Sequence, residues 1–376
     1  MLEVDLTDDA LAPWMAIGPL ARALGVDDIV DAQYYERRLA PSQDQVDYLM
    51  AFSRGAASAL RVRLRQYATA HDRAPTTRWR ALVRLVEAWA DGHSTISVRV
   101  PTMWLELDDL ETVDPSRTTP SVSACIVPGY RCDRALPAFD LAVDHGLACE
   151  VLATLDLPSS ELASSDINAA LLDSFRHLPY GGRWIHLSVM LGRVPCAVKL
   201  YGVLPRHELL AFLRRIEWGG DLAAVAAAME GPYARDMVGD DLFVDLNLET
   251  LRDPRRATLG LAVAQQQRDR GSDPDPGRWR ILQTWAATGL CSNEKLAALR
   301  AWSELSCRAT AGVTRSDRMA AFLDLKLVWQ SGGGLMAKAY LGCHRPRWTL
   351  GLQHLPRLAQ QGRLDSAEGE FGHDPP

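Results

Sequence analysis

The sequence lacks the features that mark disulfide-rich, zinc-binding and membrane-spanning proteins. Its 7 cysteines form no C-x-x-C pair, which argues against a disulfide framework or a structural zinc site. No run of about 18 apolar residues is present. The first residues, MLEVDLTDD, carry acids where a signal peptide has a basic segment followed by an apolar one. The expected protein is cytoplasmic, with reduced thiols and no membrane partner.

The chain also lacks a strong excess of positive or of negative charge. The chain has 41 Lys and Arg against 47 Asp and Glu, a formal net charge of -6, and no long basic run. This balance argues against nucleic acid or an anionic membrane as the partner. An H-E-x-x-H zinc motif is absent, and the glycines at 332–334 precede no helix start that could cradle a phosphate. Any anion that the protein binds must be held by local groups.

One unit, a β-hairpin followed by a pair of helices, recurs along the chain. Helical spacing of apolar residues over 43–71 and 77–91 predicts helices in the first ninety residues or so. Alternation with period two then predicts four hairpins, formed by 95–110 with 121–127, 184–190 with 194–203, 242–249 with 258–264, and 322–329 with 335–341. We predict a single domain over 1–360, made of a helical part over 1–90 and the repeated units over 92–345. A flexible tail is predicted over 364–376.

Each predicted strand has one apolar face and one polar face, because side chains alternate across a strand. In the second hairpin, Ile185, Leu187 and Val189 share the apolar face, whereas His186 and Ser188 share the polar face. The apolar faces need cover, and the amphipathic helices between the hairpins can supply it. The helices are therefore expected on one side of the sheet.

The polar face has two interpretations. An antiparallel sheet can leave one face in water, and the chain would then be an open-sheet interaction protein without a cavity. Alternatively, the repeated units close into a ring, which removes both exposed edges. Aromatic residues on the polar face, Trp104, Tyr201, Phe243 and Tyr340, favour the ring. The predicted fold is α+β, with repeated αββα units forming an antiparallel β-barrel whose polar lumen is surrounded by helices.

Four short strings resemble the ABBA aromatic prenyltransferases, a family that includes the fungal dimethylallyltryptophan synthases. Residues 197–205 read AVKLYGVLP and residues 335–342 read LMAKAYLG. Both are similar to the family's strand in which a Lys and a Tyr two residues apart hold the prenyl diphosphate. WLELD at 104–108 lies where the family has a first-hairpin Glu, and RDPRRATL at 252–259 is similar to the loop entering its third hairpin. The resemblance implies transfer of a prenyl group from an allylic diphosphate to an aromatic small molecule or peptide side chain in specialised metabolism.

The resemblance also implies roles for individual residues. Glu106 would be the general base that accepts the acceptor's proton, and burial beside Trp104 is expected to raise its pKa. The implied diphosphate ligands are Lys199, Tyr201, Lys338, Tyr340 and Arg255. The implied substrate-binding residues are Trp104, His186, Phe243, Asp245 and Lys326. No metal and no cofactor besides the prenyl diphosphate co-substrate are implied. A structural reading stays open, in which Glu106 pairs with Lys199 or Arg99 and the lysines belong to a solvated sheet face.

The chain departs from the family in its third hairpin. Gly260 and Ala262 stand where the family has a basic residue and a Tyr, and the strand SVSACIV lacks the family's Arg. The diphosphate site would be restored if Arg193, Arg255 or Arg256 turned inward. Otherwise the alternative is a non-catalytic barrel that binds a small acidic or peptidic ligand, for example as a helper in tailoring a ribosomal peptide.

Overall fold

The computed structural model describes residues 24–26, 28–43, 45–70, 76–108, 119–127, 139–162, 166–231, 241–262, 276–311, 320–332 and 334–344. The strands are β1 (Ala32–Arg38), β2 (Val46–Ser53), β3 (Thr102–Leu107), β4 (Ser121–Cys125), β5 (Arg183–Met190), β6 (Ala197–Pro205), β7 (Asp241–Asn247), β8 (Thr258–Ala262), β9 (Ala320–Gln330) and β10 (Gly334–His344). The helices are α1 (Ala57–Ala70), α2 (Thr77–Ala90), α3 (Thr95–Arg99), α4 (Leu141–Leu155), α5 (Ile167–Arg176), α6 (Leu209–Arg215), α7 (Leu222–Glu230), α8 (Pro276–Ala287) and α9 (Asn293–Ala311). None of these helices has the length and apolar character needed to cross a membrane.

The strands form one closed barrel in the order β1-β10-β9-β8-β7-β6-β5-β4-β3-β2. Neighbouring strands are antiparallel, and β1 pairs with β10 to close the ring, from Ala32 opposite His344 to Arg38 opposite Lys338. Every strand therefore has a partner on both sides, which satisfies the backbone groups that an open sheet would expose. The predicted barrel is confirmed.

The first part of the chain corrects the sequence prediction. Residues 1–90 were expected to be helical, but β1 and β2 form a fifth hairpin, with Tyr35 opposite Tyr48. The segment VDYLMAFS of β2 alternates with period two: Tyr48, Met50 and Phe52 pack in the main apolar core, whereas Asp47, Leu49 and Ala51 have the opposite parity. Local helical spacing was misleading here because β1 and β3 supply the partners that make β2 a strand.

The helices cover the outside of the barrel and bury its apolar faces. Helix α2 begins behind Thr76, whose side chain accepts a hydrogen bond from the Trp79 N–H at 3.1 Å. Its buried face includes Leu82 and Trp89, and the Trp89 indole donates to the Val100 carbonyl at 2.8 Å. These side chains belong to one apolar cluster that includes residues from both helices and strands. The core is thus a shell between the helices and the sheet.

A bulge in β5 changes which side chains reach the lumen. The pairing register with β6 shifts between Trp184 and His186, so Ile185 is an extra residue on its strand. Ile185 packs with Cys125 and Val127 in a small cluster separate from the main core. The prediction that Ile185 shares the face of Leu187 is therefore wrong. Gly202 permits the bulge, because a Cβ atom there would lie 2.3 Å from the Arg183 carbonyl oxygen.

Candidate active site

Strand parity brings all the predicted site residues except Arg255 to the lumen of the barrel. Contacts between strands that are not direct neighbours support this arrangement. Lys326 on β9, for example, forms an ion pair with Asp245 on β7, and β8 lies between these two strands. The set comprises Trp104 and Glu106 on β3, His186 on β5, Lys199 and Tyr201 on β6, Phe243 and Asp245 on β7, Lys326 on β9, and Lys338 and Tyr340 on β10. Several of these side chains are partly exposed, so water reaches the lumen.

Arg255 is not brought to this set. It is exposed in the turn that joins β7 and β8, where its backbone N–H donates to Asp253 Oδ1 at 2.9 Å. Arg256 beside it is exposed as well. The Asp253 side chain organises a tight turn, and that turn directs both arginines to solvent.

Arg193 does turn inward, from the turn that joins β5 and β6. Its Nε and Nη2 atoms donate to the two carboxylate oxygens of Asp108, each at 2.7 Å, and Nη2 lies 3.8 Å from Glu106 Oε1. Arg78 on α2 holds the turn by donating to the Arg193 carbonyl at 2.6 Å. Burial alone would raise the pKa of Asp108, but its hydrogen bonds to Arg193 outweigh burial and lower it.

Two lumen lysines are paired with carboxylates. Lys338 bonds Glu36 on β1, and Lys326 bonds Asp245 and lies 3.5 Å from the Tyr340 hydroxyl. Burial would raise the pKa of Glu36, but the ammonium groups of Lys338 and Lys326 hold it well below its usual range. These pairs form a fixed ionic layer on one part of the wall.

Lys199 differs from the other two lysines. Within the ranges that the structure describes, its ammonium makes neither a hydrogen bond nor an ion pair, and burial followed by the charge of Arg193 lowers its pKa. The carboxylates of Asp245 and Glu106 act on it through space and oppose that shift. A desolvated ammonium of this kind is a natural anchor for an anion.

Glu106 is a lumen carboxyl whose pKa lies near neutrality. Burial raises its pKa to about 7; Lys199 opposes this shift and the negative charge of Asp108 adds to it. The shift has the direction expected from the sequence. Among the described side chains, Glu106 pairs with neither Lys199 nor Arg99, and the ion pair it makes is the long one to Arg193. A carboxyl in this environment can gain or lose a proton near neutral pH.

Lys326 occupies space that Gly260 leaves empty. A Cβ atom at Gly260 would lie 2.4 Å from Lys326 Cε and 3.2 Å from its Nζ. Strand β8 therefore carries no basic side chain of its own at this point, but the ammonium of the neighbouring strand lies over it. Gly260, which stands where the family resemblance implies a basic residue, therefore lies next to the ammonium of Lys326.

A row of aromatic rings runs around the lumen wall. The Tyr34 and Trp104 ring centroids are 5.1 Å apart, and those of Trp104 and His186 are 6.2 Å apart in an edge-to-face arrangement. His186 stacks on Tyr201 at 5.9 Å, and Tyr201 stacks on Phe243 at 5.6 Å. Burial lowers the pKa of His186 to about 4, so it is a neutral ring at physiological pH. Such a row can bind a flat ligand and attract a cation.

Asp47, Glu106 and Asp108 form the acidic part of the lumen. Their carboxylate oxygens lie within 4.8 Å of one another, and oxygen ligands of this kind suit hard cations such as Mg²⁺. The guanidinium of Arg193 already binds Asp108 and approaches Glu106. We therefore assign the charge balance of this cluster to Arg193.

Sequence reasoning missed several residues of this lumen. Glu36 was missed together with its hairpin, because its strand reads AQYYERR and shows no alternation of apolar and polar residues. Asp108 was named only as the last residue of the WLELD string, and Arg193 was one of three candidates for an inward cation. Nothing local distinguishes Arg193 from Arg255, because both lie in turns between strands.

The fold is that of the ABBA aromatic prenyltransferases. The prenyltransferase PriB, in a ternary complex with L-tryptophan and dimethylallyl thiolodiphosphate, superposes with a TM-score of 0.52 at 13% identity, over 94% of this chain and 92% of that one. AnaPT from Neosartorya fischeri superposes with a TM-score of 0.51 at 12% identity, over 82% and 77% of the two chains. No protein-family model matches the sequence, and no curated protein matches it either. At these identities the likeness establishes the barrel and its strand order.

Proposed function

We propose that this protein transfers a prenyl group from an allylic diphosphate to an aromatic small molecule or peptide side chain. The observation that carries the proposal is the combination of two lumen residues beside a row of aromatic rings. They are Lys199, whose ammonium makes no hydrogen bond or ion pair with the described residues, and Glu106, whose pKa is raised to about 7. Each group has a task in this reaction. The fold shared with PriB supports the same conclusion.

The diphosphate is assigned to the lysines. The C–O bond between the allylic carbon and the diphosphate breaks, and the electron pair leaves with the diphosphate. Lys199 would bind the leaving group directly, with Lys326, Lys338 and the hydroxyl groups of Tyr201 and Tyr340 contributing further charge and donors. Each charge-assisted hydrogen bond is worth about 1.5 to 3 kcal/mol.

The acceptor is assigned to the aromatic row and to Glu106. The allylic cation would be shielded by the faces of Trp104, Tyr201 and Phe243, an attraction worth about 2 kcal/mol when water is excluded. The acceptor ring supplies the electron pair for the new bond and then loses a proton. Glu106 would hold the acceptor's N–H or O–H and accept its proton as general base.

Calorimetric titration with dimethylallyl diphosphate and with geranyl diphosphate tests the proposal. The PriB complex contains dimethylallyl thiolodiphosphate, so dimethylallyl diphosphate is the natural first probe. We expect micromolar affinity for at least one donor. Lys199→Ala should weaken it by at least about tenfold, or about 1.4 kcal/mol, because the leaving group loses the ammonium that binds it. Arg255→Ala, at an exposed turn, is the matched control and should bind as the unmodified protein does. No detectable heat with either donor would overturn the proposal.

A non-catalytic binding barrel is the second candidate. The pairing of Lys326 with Asp245 and of Lys338 with Glu36 favours it, because these cations are already neutralised and are less available to a diphosphate. The two functions are separated by mass spectrometry of aromatic acceptors after incubation with the donor. Formation of a prenylated product indicates the transferase, whereas binding of the donor without product indicates the non-catalytic barrel.

A further inference from the structure

Asp324 is a lumen carboxyl that the proposed transfer does not use. It lies on β9, two residues from Lys326 and on the same face, directly opposite Tyr340 of β10. Its side chain is partly buried, and burial raises its pKa to about 6 although Arg278 acts in the opposite direction. In the part of the chain that the structure describes, no hydrogen bond or ion pair reaches its carboxylate.

This carboxyl lies beside the aromatic row. The negative charges of Asp324 and Asp245 add to the effect of burial in raising the pKa of Tyr201. Asp324 therefore lies close enough to Tyr201 to interact with it electrostatically. Tyr201 is the middle ring of the stack formed with His186 and Phe243. A ligand packed on this stack would therefore meet a carboxylate at its edge.

Asp324 contrasts with three other carboxylates of the lumen. Glu36, Asp108 and Asp245 each have a cation of the protein as a partner. A desolvated carboxylate without such a partner is costly, and a positively charged ligand removes that cost. Aromatic faces nearby add their own attraction for a cation.

The position along the strand separates this carboxyl from the diphosphate ligands. Asp324 is two residues, about 7 Å, farther from the β9–β10 turn than Lys326. Within the described residues, β8 extends to Ala262, opposite Lys326, and Asp324 lies two residues beyond that pair on β9. A donor held by the lysines and an acceptor held against the aromatic row and Asp324 would occupy successive levels of the lumen.

We propose that Asp324 binds a protonated alkylamine group of the acceptor. The acceptors of this protein are then aromatic compounds that carry such a group, rather than neutral or acidic aromatic compounds. The inference rests on the proposed function and specifies its acceptor class. It assigns Asp324 to recognition and leaves proton transfer with Glu106.

The test compares acceptor pairs that differ only in charge. Tryptamine and tryptophol share an indole, and tyramine and tyrosol share a phenol; in each pair an ammonium is exchanged for a hydroxyl group. We expect the unmodified protein to bind the amine of at least one pair at least about tenfold more tightly in calorimetric titration, a difference of about 1.4 kcal/mol. Asp324→Asn should abolish this preference and leave the affinity for the alcohol unchanged.

Glu249→Gln is the matched control. Glu249 follows β7 at the opposite end of the lumen, and its carboxylate accepts the Val198 N–H at 3.2 Å, a bond that a Gln oxygen can also accept. The variant removes one negative charge from the same barrel, so it reports a general electrostatic effect. It should keep the preference for the amine. Loss of the preference in Glu249→Gln to the same degree as in Asp324→Asn would overturn the assignment, as would equal binding, or no binding, of both members of both pairs.

Failure of this inference can be distinguished from failure of the proposed function. The acceptor titrations contain no diphosphate and do not depend on transfer. Prenylated product with an unchanged amine-to-alcohol ratio in Asp324→Asn overturns the role of Asp324 alone. Absence of donor binding overturns the proposed transferase, and with it the assignment of these ligands as acceptors.

Discussion

Two glutamate side chains of this lumen have different pKa values because the cations nearest to them differ. Glu36 and Glu106 are both removed from water, and burial disfavours the charge of each. At Glu36, the charges of Lys338 and Lys326 lower the pKa by more than burial raises it. At Glu106, the charges of Lys199 and Arg193 lower the pKa by less than burial raises it. The same residue type is therefore a fixed anion at one position and a titratable base at the other.

The first prediction at the residue scale concerns Glu106. A base must be deprotonated to accept a proton, so the rate of transfer should rise as pH increases through about 7 and level off above it. Glu106→Gln should slow transfer by roughly two orders of magnitude or more, remove this step from the pH profile, and leave donor affinity intact. Single-turnover rates measured between acid and mildly alkaline pH provide the check.

The groups facing Glu106 bear on how that profile is read. They are Asp108, Arg193 and Glu36, whose pKa values are shifted away from 7, and Lys199, whose pKa is lowered from its usual value. The step near neutral pH is therefore assigned to Glu106 only where Glu106→Gln removes it. Retention of the step, or of the full rate, in Glu106→Gln would remove the residue from the mechanism.

At the scale of elements, β8 and β9 share one site between them. Strand β8 presents Gly260 to the lumen, and its neighbour β9 presents Lys326, whose side chain lies over that glycine. The glycine is required by a close approach of a side chain and not by its backbone conformation.

Gly260→Ala tests this arrangement. The new methyl group would lie 2.4 Å from Lys326 Cε and 3.0 Å from Asp245 Cβ, so the ion pair must shift. We expect donor affinity to fall by roughly tenfold, about 1.4 kcal/mol, in calorimetric titration, and to fall comparably in Lys326→Met. Gly92→Ala, where a Cβ atom meets nothing within 4 Å, is the control. Donor affinity in Gly260→Ala equal to that of the unmodified protein would show that Lys326 does not serve the diphosphate.

At the scale of the whole molecule, ring closure depends on both ends of the described chain. Strand β1 joins β10 along its whole length, and the main apolar cluster includes residues from Leu24 to Leu341. The helices pack on the barrel and share its core. We therefore expect the chain to behave as a single domain over 1–360, as predicted from the sequence.

Removal of residues 1–53 tests this expectation. Deleting β1 and β2 exposes the edges of β10 and β3 and removes Tyr48, Met50 and Phe52 from the core. We expect the product to be aggregated or unfolded by size-exclusion chromatography and circular dichroism. Removal of 364–376, which the sequence predicts to be a flexible tail, is the control and should leave the melting temperature unchanged. A stable, monomeric product of the larger deletion would refute the single-domain prediction.

The sequence by itself determined most strand faces of four hairpins and most of the residues that line the lumen. The exceptions are Ile185 and the first part of the strand predicted over 95–110, where Thr95–Arg99 form helix α3. The reason is local: side chains alternate along a strand, so parity assigned Lys199, Tyr201, Glu106, Lys338 and Tyr340 to polar faces before any pairing was known. The Lys-x-Tyr strings and the repeat of hairpins and helix pairs then indicated the barrel. These features depend on residues that are close together in the chain.

Only the tertiary structure decided what depends on partners distant in sequence. The β1–β2 hairpin is a strand pair because β10 and β3 flank it, and with it comes Glu36. The inward turn of Arg193 depends on Asp108, and the location of Lys326 depends on Gly260. Charges are balanced across the barrel, over distances in the chain at which local patterns carry no information.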